Sequence, residues 1–76
     1  MNKPRRKEIQ RAIDLLCEAE GILASAEGDE QEAYDNMPEG LQDSERGEKM
    51  SENIDVLIEC QSELEDMVES LLEVIE

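Results

Sequence analysis

Residues 34–46 read YDNMPEGLQDSER and indicate where the chain turns back on itself. This stretch contains the only cluster of Pro and Gly in the 76-residue chain, Pro38-Glu39-Gly40, and such clusters mark turns between regular elements. The sequence on either side is rich in Glu, Leu and Ala, which favour helix. The stretch therefore predicts one turn between two long helices.

Apolar residues recur at heptad spacing on both sides of this turn, as in a coiled coil. With Ile9 as an a position, the d positions of the first half are all alanine: Ala12, Ala19, Ala26 and Ala33. In the second half the a series begins at Gly47 and the d series is Met50, Leu57, Leu64 and Leu71. The two series are symmetric about Gly40, which pairs Ala12 with Val68 and Ala26 with Ile54. The frames predict an antiparallel seam.

We therefore expect an all-α fold, an antiparallel two-helix coiled-coil hairpin formed by residues 1–76 as a single domain. Helix 1 is predicted over about residues 4–35, the turn over about 36–42 and helix 2 over about 43–75. A break at Gly28, which would turn residues 28–43 into a loop, is the alternative.

Charge is divided unevenly along the chain, which has 22 acidic and 7 basic residues and a net charge of −15. Residues 1–11 carry five of the basic residues and a net charge of +4, whereas residues 12–76 carry −19. The predicted register brings this basic segment beside the acidic C-terminus, pairing Lys7 with Glu73 and Arg11 with Glu69. Near the turn, Arg46 is expected to pair with one of three acids: Glu30, Asp35 or Glu39.

Several classes of function are disfavoured by composition. The chain has no His, which is the commonest general base and metal-nitrogen ligand, so we expect neither an enzyme nor a metal or cofactor site. Strong acidity disfavours direct binding of nucleic acid, because phosphates are bound by Lys and Arg. No apolar run approaches the roughly 20 residues that span a bilayer, so no membrane association is expected. The unpaired spacing of Cys17 and Cys60 suits a reducing cytoplasm.

A lone hairpin would leave apolar side chains beside its seam in contact with water. A dimer of hairpins that forms a four-helix bundle would cover them. The residues expected to mediate this self-association are Leu15, Ile22, Ile58, Met67 and Leu72.

The turn has two interpretations. It is either a structural connection, in which Asn36 closes a helix and Asp43 or Ser44 starts the next, or a tip that recognises a partner. The residues expected to bind a partner at the tip and on the adjoining acidic face are Asp29, Glu30, Tyr34, Asp35, Asn36, Glu39, Gln42, Glu45 and Arg46.

The turn also resembles a known pattern. Residues 36–46, NMPEGLQDSER, are similar to the N-[LM]-P-E-x-[LM]-Q-x-S-E-R pattern of small acidic helical-hairpin proteins from phages, prophages and gut bacteria. The resemblance covers roughly residues 30–57. It implies a phage or prophage setting and no particular activity.

Three functional hypotheses follow. The first is a non-enzymatic protein-binding module, encoded by a phage or prophage, that inhibits or modulates a host defence or nucleic-acid factor by presenting an acidic surface to its basic groove. The second is a structural or assembly adaptor, in which acidity only maintains solubility. The third and weakest is a sponge for a nucleotide signal, bound by the basic segment.

Overall fold

The chain folds as an antiparallel helical hairpin in the computed structural model, which describes all 76 residues. Helix α1 spans Lys3–Asp35, the short helix α2 spans Glu39–Gln42, and helix α3 spans Glu45–Ile75. Helices α1 and α3 pack along a rod with extents of 58 × 15 × 13 Å. The predicted all-α hairpin is confirmed. Helix α1 continues through Gly28, so the alternative of a loop from that residue onward is wrong.

Both long helices begin at a polar cap. The Asn2 side chain accepts a hydrogen bond from the Arg5 backbone N–H at 2.9 Å, and Pro4 lies in the first turn, where its missing N–H costs nothing. The Ser44 hydroxyl accepts a hydrogen bond from the Gly47 backbone N–H at 3.3 Å and starts α3. These caps set the first residue of each helix.

The core is a single narrow seam. Only two apolar side chains are buried, Ile13 and Ile54, with exposed fractions of 3% and 5%. In α3 every predicted a and d position from Gly47 to Ile75 is buried or half-buried, which confirms the heptad frame of the second half. A two-helix rod buries one stripe of each helix and leaves the remaining faces to solvent.

The frame predicted for α1 is half wrong. The a series is half-buried at Ile9, Leu16 and Leu23, but the alanines that were expected to face the partner helix are exposed at positions 12, 26 and 33. The other edge of the seam lies one residue later, at Ile13, Glu20, Glu27 and Tyr34. The predicted contacts of Ala12 with Val68 and of Ala26 with Ile54 are therefore wrong. Ile13 displaces alanine from the seam because its larger side chain removes more apolar area from water.

No lysine or arginine side chain takes part in a side-chain hydrogen bond in the structure. The expected pairs of Lys7 with Glu73 and Arg11 with Glu69 therefore do not form as hydrogen bonds, nor does any pairing of Arg46. Exposed ion pairs are worth only about 0–1 kcal/mol because water screens them. The basic segment contributes to the charge distribution of the rod without forming a hydrogen-bonded ion pair.

Candidate interaction surface

The turn is closed by hydrogen bonds to the end of α1. The backbone N–H of Met37 and the side-chain amide of Gln42 both donate to the Tyr34 carbonyl, at 3.1 and 3.0 Å. Within α2, the backbone N–H groups of Leu41 and Gln42 donate to the Pro38 carbonyl at 2.8 and 3.2 Å. Gln42 therefore adds a second hydrogen bond to a carbonyl in the last turn of α1, where the i to i+4 bonds of the helix have ended.

Ser44 links α2 to α3. Its hydroxyl donates to the Leu41 carbonyl and accepts from the backbone N–H of Gly47, while its backbone carbonyl accepts from the Glu48 N–H at 2.9 Å. A Cβ atom on Gly47 would lie 2.2 Å from the Gln42 carbonyl oxygen and 2.6 Å from that of Leu41. The first turn of α3 can approach α2 this closely only because residue 47 is glycine.

The residues predicted to bind a partner at the turn divide into two groups. Tyr34, Gln42 and Glu30 are half-buried, and the first two take part in the hydrogen bonds that close the turn. The other six are exposed: Asp29, Asp35, Asn36, Glu39, Glu45 and Arg46. Among these, Asp35 accepts a hydrogen bond from the Gln31 side chain at 2.9 Å. The middle of the turn is thus structural, and the residues around it remain accessible.

A continuous line of carboxylates follows the outer face of α3. Nine acidic residues at spacings of three, four or seven occupy the b and f heptad positions, opposite the seam, and all are exposed. We call them the acidic stripe: Glu45, Glu48, Glu52, Asp55, Glu59, Asp66, Glu69, Glu73 and Glu76. Only Glu45 was among the predicted partner-binding residues. The other eight acids recur at i, i+3 and i+7 in the sequence. Once the heptad frame of α3 is known, this spacing places them opposite the seam and identifies the stripe.

The outer face of α1 is different. At the equivalent positions it carries two bases near the N-terminus, then acids mixed with small residues such as Gly21, Ser25 and Gly28. A Cβ atom added at Gly21 or Gly28 would meet nothing within 4 Å. The acidity of the rod is therefore most continuous on α3.

Apolar side chains are exposed on both edges of the seam, but unequally. In an antiparallel pair the two helices are related by a two-fold axis perpendicular to the rod, so positions with the same heptad letter lie on the same edge. With Ile13 and Ile54 as a positions, one edge combines the c and g positions of both helices. We call the apolar residues at these positions the apolar edge: Ala12, Leu15, Ala19, Ile22 and Ala26 of α1, and Val56, Cys60, Met67 and Val74 of α3. Of these, Ala19 and Cys60 are half-buried, and charged residues such as Glu63 occupy some of the remaining c and g positions.

The residues predicted to mediate self-association are all exposed, and the frame separates them. Leu15, Ile22 and Met67 lie on the apolar edge, with exposed fractions of 53%, 62% and 49%. Ile58 and Leu72 occupy e positions on the opposite edge, among polar residues. Sequence reasoning missed Val56, and it assigned the alanines of α1 to the seam.

The rest of the surface is smooth. It contains no pocket and no convergent group of three or more Cys, Asp or Glu residues able to hold a metal ion. None of the helices combines the length and apolar content needed to cross a membrane. Both cysteines are free, Cys17 exposed and Cys60 half-buried. The surfaces that distinguish the molecule are thus the acidic stripe, the apolar edge and the accessible turn residues.

Comparison with known proteins yields no match, whether to protein family models, to curated proteins or to solved structures.

Proposed function

We propose that the protein is a non-enzymatic protein-binding module whose acidic stripe occupies a basic groove on its partner. The observation that supports this proposal is the continuity of the stripe, nine exposed carboxylates with no cation among them, on a rod without a pocket. A rod with this surface can bind a partner through a long row of charges, but it has no cavity to hold a small substrate.

The spacing of the stripe suits a groove that normally holds nucleic acid. From Glu45 to Glu76 the helix rises about 46 Å at 1.5 Å per residue, which is roughly one carboxylate per 5 Å. One strand of duplex DNA carries a phosphate about every 3.4 Å along the axis. The two densities are of the same order, so basic side chains arranged for a phosphate backbone would meet carboxylates at a comparable spacing.

The partner class follows from this chemistry. A protein with a long basic groove, such as a nucleic-acid-binding enzyme, would be attracted over several ångströms and held by many weak ion pairs. The resemblance of residues 36–46 to phage and prophage hairpins suggests a host protein as the target, bound in the host cytoplasm. The exposed turn residues, such as Glu39 and Arg46, would contact the partner at one end of the groove.

The proposal is tested by capture from a bacterial lysate with two matched variants. One neutralises four stripe residues, Glu52→Gln, Asp55→Asn, Glu59→Gln and Asp66→Asn. The other neutralises four exposed acids of α1 outside the predicted partner-binding set: Glu8→Gln, Asp14→Asn, Glu18→Gln and Glu32→Gln. Both lose four charges.

We expect the wild type and the α1 variant to capture nucleic-acid-binding proteins that duplex DNA displaces. The stripe variant should lose at least 10-fold in recovery, and 0.5 M salt should release the complex, because ion pairs are screened. Equal recovery by both variants, or capture that neither DNA nor salt reverses, would contradict the proposal.

A second candidate, a structural adaptor, is favoured by a separate observation. Nine large apolar side chains have exposed fractions of 45% or more, which is a large share for a chain with two buried apolar residues. An adaptor would bind its partner through these residues with little dependence on salt. Replacing Leu15, Ile22 and Met67 by Ser would abolish assembly and leave the stripe-dependent capture unchanged.

A further inference from the structure

We propose that the apolar edge binds the apolar edge of a second copy of this chain, with the two rods antiparallel and the two-fold axis passing beside Ala19. This surface is separate from the acidic stripe, and the inference holds whether or not the stripe has the partner proposed above. The arrangement makes a four-helix bundle in which α1 lies on α1 of the partner and α3 on α3.

The α1 part of the edge is self-complementary, as a two-fold interface requires. Counted from Ala19, alanines lie seven residues before and seven after, Leu15 lies four before and Ile22 three after. When the helix is reversed on itself about Ala19, Ala12 meets Ala26 of the partner, and Leu15 comes within one residue, about 1.5 Å, of the level of Ile22 of the partner. Alanine at every seventh position allows the two helix axes to approach to about 8 Å, the lower limit of helix packing.

The charge of the rod favours this direction over a parallel one. The half that holds the chain termini, residues 1–19 and 61–76, has five bases and nine acids, a net charge of −4. The half that holds the turn, residues 20–60, has two bases and thirteen acids, a net charge of −11. A parallel dimer would place the two −11 halves side by side. The antiparallel dimer places each beside a −4 half, and the basic segment 1–11 beside the carboxylates of residues 27–35 in the partner.

The face is of the order of size that a dimer needs. Its outline measures 58 × 15 Å between Cα atoms, about 870 Å², whereas a standard stable interface buries roughly 800 Å² of accessible surface per partner. The apolar residues Leu15, Ile22 and Met67 would lie towards the centre of that face, and charged residues near the rod ends would form its rim. One acid, Glu63, lies on the same face near the middle of α3, between Cys60 and Met67. The acidic stripe, on the far side of α3, would remain exposed.

The first test measures mass in solution. The chain has a mass of 8.6 kDa, and we expect light scattering at 100 µM protein and 150 mM salt to give about twice that value. Ile22→Glu should reduce the mass to that of the monomer, because it buries a charge at the centre of the face. The matched control, Ile58→Glu on the opposite edge, should leave the mass of the dimer unchanged. Circular dichroism of each variant establishes that it is helical.

The second test fixes the direction by disulfide trapping in a background of Cys17→Ser and Cys60→Ala. With Ala19→Cys the two thiols lie beside the two-fold axis, so mild oxidation should give a covalent dimer. With Ala12→Cys the thiols are about 21 Å apart along the axis, since each is seven residues from Ala19, and no covalent dimer should form. A mixture of Ala12→Cys and Ala26→Cys proteins should crosslink, whereas neither does alone.

Some results would overturn the inference. A wild-type mass of 8.6 kDa at 100 µM would exclude the dimer at that concentration. A dimer in which Ala12→Cys crosslinks with itself, or in which Ala24→Cys on the opposite edge crosslinks as well as Ala19→Cys, would place the interface or its direction elsewhere. Disulfide trapping reports directly which residues of the two copies lie close together. It therefore tests the dimer interface even if Ile22→Glu unfolds the chain.

Discussion

Gly47 shows most clearly how one residue determines the turn. Its backbone is not in a left-handed conformation, so conformational freedom is not the reason for glycine here. The reason is contact, because the carbonyls of Leu41 and Gln42 occupy the space that a Cβ atom would need. Gly28 has no such neighbour, and its glycine weakens the middle of an exposed helix.

Gly47→Ala should destabilise the hairpin by about 2–3 kcal/mol, because backbone atoms must shift to admit the methyl group. Gly28→Ala, the control, should stabilise it by about 0.5–1 kcal/mol through helix propensity. Urea unfolding followed by circular dichroism measures both. If Gly28→Ala lost as much stability as Gly47→Ala, contact with the carbonyls of α2 would not be the reason for glycine at residue 47.

Ser44→Ala should cost about 1–2 kcal/mol, because the substitution leaves the Gly47 N–H without its cap acceptor and removes the donor to the Leu41 carbonyl. Ser62→Ala is the matched control, since Ser62 is exposed in the middle of α3 and alanine is the better helix former there. The same unfolding assay compares them. If the two variants were equally stable, the cap would have no energetic role.

At the scale of the element, α1 and α3 differ in how clearly their sequences specify the buried face. In α3 only one heptad stripe is apolar throughout, and that stripe is the one in the seam. In α1 two stripes lie side by side, one made only of alanines and the other containing Ile13, Glu20, Glu27 and Tyr34. The stripe with the larger side chain enters the seam at its N-terminal end, and Glu20 and Glu27 follow it because the helix is continuous.

Truncation of the core should have large effects because the core is small. Ile54→Ala should lower the free energy of unfolding by about 2–4 kcal/mol, the range for a buried isoleucine. Ile58→Ala, four residues later and 49% exposed, should change it by less than about 1 kcal/mol. Thermal or urea unfolding of the two variants compares them directly. Similar losses would mean that α3 is rotated relative to the described seam.

At the scale of the whole molecule, charge acts against folding and shapes binding. Like charges along a 58 Å rod repel each other, and salt screens that repulsion within about 10 Å at 0.1 M. In the proposed dimer, twice the net charge of −15 would occupy about the same length, or one charge per roughly 2 Å, close to the 1.7 Å of duplex DNA. Dimerisation would therefore give the rod a charge density close to that of duplex nucleic acid, whose place in a basic groove the acidic stripe is proposed to occupy.

Salt should have opposite effects on the two associations. Raising NaCl from 20 mM to 0.5 M should increase the melting temperature of the free protein and tighten the dimer, because in both cases like charges are screened. The same change should weaken the complex with a basic partner by at least 10-fold. Melting curves, sedimentation equilibrium and partner titration at the two salt concentrations test this. A melting temperature that falls with salt would show that attractive ion pairs dominate the fold.

The order of the amino acids was enough to predict the two long helices, the turn at Pro38, the buried face of α3 and the asymmetric distribution of charge along the chain. Each of these depends on local spacing and composition, which are complete in the linear sequence. The buried stripe of α1 is known only from the folded structure, because heptad spacing favours the all-alanine stripe, whereas packing against α3 buries Ile13 and the stripe that contains it. The folded structure also explains why residue 47 is glycine, since the carbonyls of α2 meet that position only after the chain has turned back.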